Sequence, residues 1–576
     1  MNNWKLEDLY KNDKELEKSV KIIEKNAKKF ERMYKGKLHK LKPKDFINTL
    51  KKYEEILNAI SRAGTYVFLK FAKNSDNGGF YAKYSQIFSN LQEHLLFFEL
   101  EFNRLSKDKQ KNIVKKSGIY KFYLQNLIKE KKHQLSDNEE KIMLKKSLTS
   151  SRAFSRLFDE HFSRLKFNFN GKKLSEEEIL SKLYSPDRNT RKKAALSLSK
   201  KLEKNLNLTS YIYNMIKTDL KIECDIRKYS SVEEPRHLDN KITKKSVDAL
   251  INTTSKNFHI VNEYYKIKKD ILGYKKLYDY DRYAPFQSNE KEIPFEEAKE
   301  MVLKSFKNFD KEFYTIAKKA FDEGWCDVFP KDKKRGGAFS HPASVDTHPF
   351  VMLNYTKKRR DIFTVAHELG HAIHQYLSRK VGYLGSDTPL TTSETASVFA
   401  EMLLFDDIKK ITPKDELLAL YGGKLEDIFA TLFRQIIFTT FERRVHSKVE
   451  EVTIDEFNEF WLEENQKMFA DSVELTKGYK QWWSYIPHFI HTPFYCYAYS
   501  YGQLLVMALY GLYKKEGKNF KKKYIRFLSS GGSKSPKSLI KSFGFDIEDE
   551  EFWQIGINEV ERMLNEFKTL RNENAS

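Results

Sequence analysis

Cysteine is scarce in this chain. Cys224, Cys326 and Cys496 are the only three in 576 residues, an odd number without paired spacing. That argues against a disulfide framework and for a reducing, cytoplasmic compartment. Long apolar runs are also lacking: none approaches the roughly 20 residues that a membrane-spanning helix needs. The opening residues, Met1–Asp8, have no apolar core of the secretory-leader kind. No internal repeat of 20–50 residues and no low-complexity block is detectable. Lys534-Ser535 sits in a Ser/Gly-rich stretch but lacks the full glycine spacing of a phosphate loop, so a loop before a helix is expected there.

Positive charge is abundant, with a formal net charge of +23. It is dispersed through segments that also carry acids, such as Lys14-Glu15-Leu16-Glu17-Lys18. A non-enzymatic, nucleic-acid-binding protein is the reading from a different class, and it predicts salt-sensitive affinity for DNA or RNA. Dispersal favours compositional bias instead, so neither a nucleic-acid nor a membrane partner is expected.

Helical periodicity dominates. Leu16, Val20, Ile23, Ala27 and Phe30 step by four and three. Ser185-Pro186-Asp187 opens a helix through Ala194, Ala195 and Leu198. Strand-like runs are few: 165–169 and 350–355. A mainly α fold is therefore expected, with a small sheet.

The chemistry is concentrated in His367-Glu368-Leu369-Gly370-His371, an HExxH motif. Asp361 is a plausible N-cap. Apolar residues at helical spacing then run from Ile362 to Leu377. Two His four residues apart lie on one helical face, about 6 Å apart along the axis, and converge on one Zn²⁺. Glu368 is placed to take a proton from a water at that metal. Gly370, in mid-helix, costs roughly 1 kcal/mol against Ala, a cost that close approach of another backbone would explain. The bland alternative is an ordinary amphipathic helix with two surface His.

A zinc site needs a third protein ligand. The metzincin pattern requires Gly at 374 and His at 377; the chain has His374 and Leu377. Before Glu401, the carboxylates that follow are Asp387, in a turn-like stretch, and Glu394, in a predicted helix from Thr391 to Phe405. Glu394 is the better ligand because it is expected on a rigid element. Its alternative role is a capping box with Thr391. Glu401 is either the carboxylate that orients a ligating His or a solvated helix charge. His374 lies about 10 Å along the helix from His367 and cannot share its metal; a structural role is expected.

These residues resemble the M3 metallopeptidases, in particular the oligoendopeptidase F branch. The resemblance rests on His367–His374, on Glu394-Thr395-Ala396-Ser397 and on Glu401. It extends to 334–340, 348–355, 278–285, 135–140, 486–489 and 493–497, which is nearly the whole chain. It implies one Zn²⁺ per chain on His367, His371 and Glu394, with Glu368 as the base. It also implies a multi-helix fold with a small sheet beside the zinc helix and a deep cleft. The expected regions are an N-terminal helical part over 1–110, an oligopeptidase F N-terminal-type helical domain over 111–185, and the catalytic domain over 186–576. Substrates would be short unfolded oligopeptides, and the 350–355 strand could pair its edge with them.

The stretch around Trp482 and Trp483 is the second chemical signal. Thr492-Pro493 is expected to open a helix that puts Tyr495 and Tyr499 on one face and Tyr497 and Tyr501 on another. Members of the wider family use a His and Tyr from this region to stabilise the oxyanion. The spacing here departs from that of better-known members, so the register stays open; His488 with Tyr495 or Tyr499 is favoured, and at least two of the four Tyr are expected in the core. A zinc carboxypeptidase is the closest rival and would use a cation such as Arg335 to hold the terminal carboxylate.

Overall fold

The computed structural model describes residues 3–286 and 292–575. Met1 and Asn2, part of the opening segment read above, lie outside them. Helices make up most of the chain. Five short strands occur among the described residues: β1 (Phe167–Phe169), β2 (Lys172–Leu174), β3 (Cys326–Asp327), β4 (Phe339–His341) and β5 (Phe350–Met352). No helix among the described residues is long and apolar enough to cross a membrane.

The chain divides into two compact units of interleaved segments. The first comprises Met1–Lys131, Glu290–Lys410 and Leu512–Gly544. Its helix Asp13–Tyr34 begins at the N-cap Asn12, whose side chain accepts from Glu15 N–H. It buries Leu16, Val20, Ile23, Ala27 and Phe30, the stripe that the periodicity predicts. The core built on that stripe also takes in Phe350 and Met352 of β5.

The three-stranded sheet of this unit has the order β3-β5-β4, with β5 parallel to β3 and antiparallel to β4. The predicted strand 350–355 is thus shorter as a strand, but its backbone goes on donating to the β3 side as far as Tyr355. Val351, Leu353 and Tyr355 N–H donate to the carbonyls of Trp325, Asp327 and Val328. The expectation of an open edge on this strand is corrected: β5 is central and paired on both sides. A strand with alternate N–H groups turned to each neighbour has none left for a third chain.

The second unit comprises Lys132–Asn289, Ile411–Gly511 and Phe545–Ser576. Asp187 caps the helix Arg188–Glu203 by accepting from Thr190 N–H, and Ala194, Ala195 and Leu198 face the core. β1 and β2 form an antiparallel hairpin. The aromatic stretch from Tyr479 to Phe489 packs into this unit's core with Trp461 and Tyr213.

Candidate metal centre

The HExxH residues lie on the helix Arg359–Ser378. Asp361 caps this helix from inside its first turn and is not the N-cap residue. Its Oδ2 accepts from the N–H groups of Thr356 and Lys358 and from the Thr356 hydroxyl. One face of the helix buries Ile362, Val365, Ala366, Leu369 and Ile373. Trp325 stacks on Tyr376 at 5.4 Å and ties the helix to the end of β3.

The continuous helix predicted from Thr391 to Phe405 is broken. A single turn, Leu390–Ser393, is followed by a kink at 394–396, and the long helix runs from Ser397 to Ile411. Glu394 sits at that kink, and its Oε2 faces the two imidazoles. It lies 3.4 Å from His367 Nε2 and 3.4 Å from His371 Nε2. The Ser397 hydroxyl donates to the same oxygen at 2.8 Å. Among the described residues, His367, His371 and Glu394 are the only His/Cys/Asp/Glu group that could hold a metal ion, and Asp387 is not part of it.

Four contacts hold the kink in place. A Cβ on Gly370 would lie 2.6 Å from the Ala396 carbonyl oxygen and 2.6 Å from Ser397 Cα, so glycine is required by the close backbone approach expected there. The Tyr524 hydroxyl donates to the Thr395 carbonyl at 2.7 Å. The buried His374 imidazole hydrogen-bonds the Ser393 backbone. The fourth contact is the Ser397 hydroxyl bond. His374 is therefore structural, as its position along the helix predicts. Burial and the charge of His371 push its imidazole down to about 3, so it is neutral. Tyr524 escapes sequence reasoning, because nothing local to it signals a contact 129 residues away; Ser397 stands in the motif read above, but without an assigned role.

The electrostatics favour a cation. Glu401 Oε1 lies 2.7 Å from His367 Nδ1, which fixes that nitrogen as the proton-bearing one and turns Nε2 toward Glu394. Burial acts to lower the His367 imidazole, but Glu401, Glu394 and Glu368 outweigh it and raise it to about 9. Burial acts to raise the Glu394 carboxyl, but His371, His367 and Ser397 bring it down to about 2. Glu368 is buried and raised, chiefly by desolvation, and its Oε2 has no hydrogen-bond partner. An unsatisfied buried carboxylate oxygen calls for an explanation; a water at the centre would supply one.

Two imidazoles and one carboxylate are a donor set that fits Zn²⁺. Bonds of about 2.0–2.1 Å in a tetrahedral site put neighbouring donors about 3.4 Å apart, the separation found here between Glu394 and each His. The side chains of His367, His371 and Glu394 remain 27%, 18% and 38% exposed, so solvent and substrate can reach the centre.

The whole chain matches known peptidases. Residues 181–559 match the model of peptidase family M3, and residues 101–167 match the model described as oligopeptidase F. The chain belongs to peptidase family M3. It is a metalloendopeptidase. Oligoendopeptidase F homolog of Borreliella burgdorferi is 29% identical, with 98% of each chain covered. Oligopeptidase PepF of Bacillus subtilis is 27% identical over 98% of this chain and 87% of its own. The fold is shared with a putative peptidase from Chlamydophila abortus (TM-score 0.89, 24% identity, 99% and 98% covered). It is also shared with oligoendopeptidase-F from Enterococcus faecium (TM-score 0.72, 24% identity, 97% and 99% covered). As a peptidase the protein acts on peptides. Arg335, the cation that a carboxypeptidase would need, is exposed and lies over the Phe68 ring.

The second group of predicted residues lies in the other unit. The helix expected to open at Thr492-Pro493 starts instead at Tyr497, after a turn in which Phe494 has φ +58°. Tyr497 and Tyr501 are fully buried core residues. His488 Nε2 lies 3.2 Å from the Tyr499 hydroxyl, and Tyr495 stacks on His488 and meets Tyr499 edge-on. The three favoured residues thus form one cluster. Burial, Arg434 and His491 lower the His488 imidazole.

Proposed function

We propose that the enzyme is a zinc-dependent oligoendopeptidase that hydrolyses internal bonds of short, unfolded peptides. His367, His371 and Glu394 would hold one Zn²⁺ per chain. The observation that carries this is the convergence of two imidazole Nε2 atoms on one Glu394 oxygen beside the unsatisfied Oε2 of Glu368. When bound, Zn²⁺ supplies Lewis acidity that makes a water acidic and polarises the scissile carbonyl. Glu368 takes the proton of the attacking water and passes it to the leaving amine. Glu401 keeps His367 in the tautomer that leaves Nε2 free to bind. His488, with Tyr495 or Tyr499, donates hydrogen bonds to the carbonyl oxygen as it becomes negative.

The peptide backbone docks on the outer edge of β4. Val351 N–H is bonded to Trp325, so Ser340, its partner across the ladder, turns its own backbone groups away from β5. The Ser340 carbonyl accepts from Gln375, four residues beyond His371. Three free, buried cysteines support a reducing, cytoplasmic setting. Mass spectrometry of a mixed peptide pool tests the reading, with and without chelator and with one peptide also displayed on a stable folded host. Internal cleavage of free peptides alone, abolished by chelator, is expected, since a folded host must first unfold at a cost of roughly 5–15 kcal/mol. Equal cleavage of both forms would refute the restriction to unfolded substrates.

A further inference from the structure

The second unit contains a cavity that the peptidase chemistry does not use. It has a volume of about 440 Å³ and lies between β1 and one face of the helix Arg188–Glu203. Lys193, Leu196, Ser197, Lys200, Lys201 and Lys204 line it. They recur at three, four, seven, eight and eleven residues, which is one helical stripe. The opposite face carries Arg191, Ala194, Ala195, Leu198 and Leu202 and is buried. The stripe is therefore the only part of this helix turned toward the cavity.

The opposing wall is built rather than incidental. β1 and β2 are joined by Asn170-Gly171, with φ of +49° and +79°, the left-handed pair of a tight two-residue hairpin turn. The Ser197 hydroxyl donates to the Asn168 carbonyl at 2.7 Å and holds the hairpin on the helix. Phe169 adds an aromatic surface, and Asn168 and Asn170 add amides at the rim.

The charge is one-sided. Four lysines line the cavity and no acid does. Among the described residues none of the four has a carboxylate partner, whereas Lys221 and Lys244 of the same unit pair with Asp225 and Asp248. The C-terminal end of a helix attracts cations, which accounts for Lys200, Lys201 and Lys204. It does not account for Lys193, in the second turn of the same stripe. Crowded ammonium groups repel one another, and a dense anion removes that repulsion.

We propose that this cavity binds a small molecule bearing two or more phosphates. The size fits a cofactor-sized ligand, and lysine is a point-charge partner for phosphate. An acidic peptide matches less well: in an extended chain, successive side chains point to opposite faces, which leaves carboxylates on one face about 6.6 Å apart. Adjacent phosphates are packed more closely.

Fluorescence anisotropy of dye-labelled ATP on the metal-loaded enzyme tests this, at low and moderate salt. Saturable one-to-one binding that weakens steeply with salt is expected. The double variant Lys193→Gln/Lys200→Gln should weaken it about tenfold or more. Leu196→Glu, an exposed position facing the same cavity, should do likewise. Lys107→Gln/Lys111→Gln removes the same charge from the other unit and should leave affinity unchanged. Thermal midpoints check that each variant is folded. No binding by the wild type, or equal losses in the pocket and control variants, would overturn the proposal, as would survival of binding in both pocket variants. Stronger competition by hexaglutamate than by unlabelled ATP would overturn it in favour of acidic polypeptide.

Discussion

Glu401 and His367 are joined at 2.7 Å through the imidazole Nδ1, which leaves Nε2 as the nitrogen that faces Glu394. Outer carboxylates of this kind commonly tune metal affinity by about 10–100-fold. Glu401→Gln should weaken zinc retention by that order, as competition with a calibrated chelator would measure. Wild-type affinity in the variant would reduce Glu401 to a helix charge.

Glu394→Gln should lower zinc occupancy and Asp387→Asn should not, because Glu394 alone of the two lies between the imidazoles. Metal analysis of the purified variants distinguishes them. Full occupancy in Glu394→Gln would return this residue to a merely structural part.

Glu368→Gln preserves size and removes the base. The variant should keep its zinc and still bind peptide, yet hydrolyse it at least about 10²–10⁴-fold more slowly. Turnover within a few-fold of wild type, measured at saturating peptide, would contradict the proposed mechanism.

Gly370→Ala adds only a methyl group, but it would meet the Ala396 carbonyl at 2.6 Å. Overpacking of this kind costs about 1–3 kcal/mol, and the yielding element is the kink that presents Glu394. Loss of stability and loss of zinc affinity should therefore appear together. A variant that is destabilised but binds zinc normally would separate the kink from the metal centre.

The buried Glu442 carboxyl accepts the Phe494 N–H. Desolvation raises it from the ordinary carboxyl value of 4.5 to about 8. Below 4.5 both folded and unfolded states hold the proton. Between 4.5 and 8 the unfolded state loses it first, so stability falls as pH rises, by up to tenfold in the folding equilibrium per pH unit. Above 8 the loss is complete. Glu442→Gln keeps the acceptor and cannot ionise, so its thermal midpoint should gain on wild type steadily from pH 5 to pH 8. A difference that stays constant over that range would show that Glu442 does not titrate there.

Sequence alone was enough for the α-rich fold, the stripe on Asp13–Tyr34, the HExxH face and the reason for Gly370. Each is a local property, governed by helical period or by the cost of a residue against its own backbone. The pairing of Glu401 with His367 and the burial of Tyr497 and Tyr501 were legible as alternatives, and the packing chose between them. Other features depend on segments far apart in the chain. The kink at Glu394 replaced a predicted continuous helix because Gly370, His374 and Tyr524 grip the backbone from elsewhere, and tertiary contacts outweigh local propensity there. β5 proved central rather than an edge because β3 and β4 pair with it from both sides, and strand order is a property of the assembled sheet. The lysine cavity exists only because a hairpin folds onto a helix face that in sequence reads as one more dispersed run of basic residues.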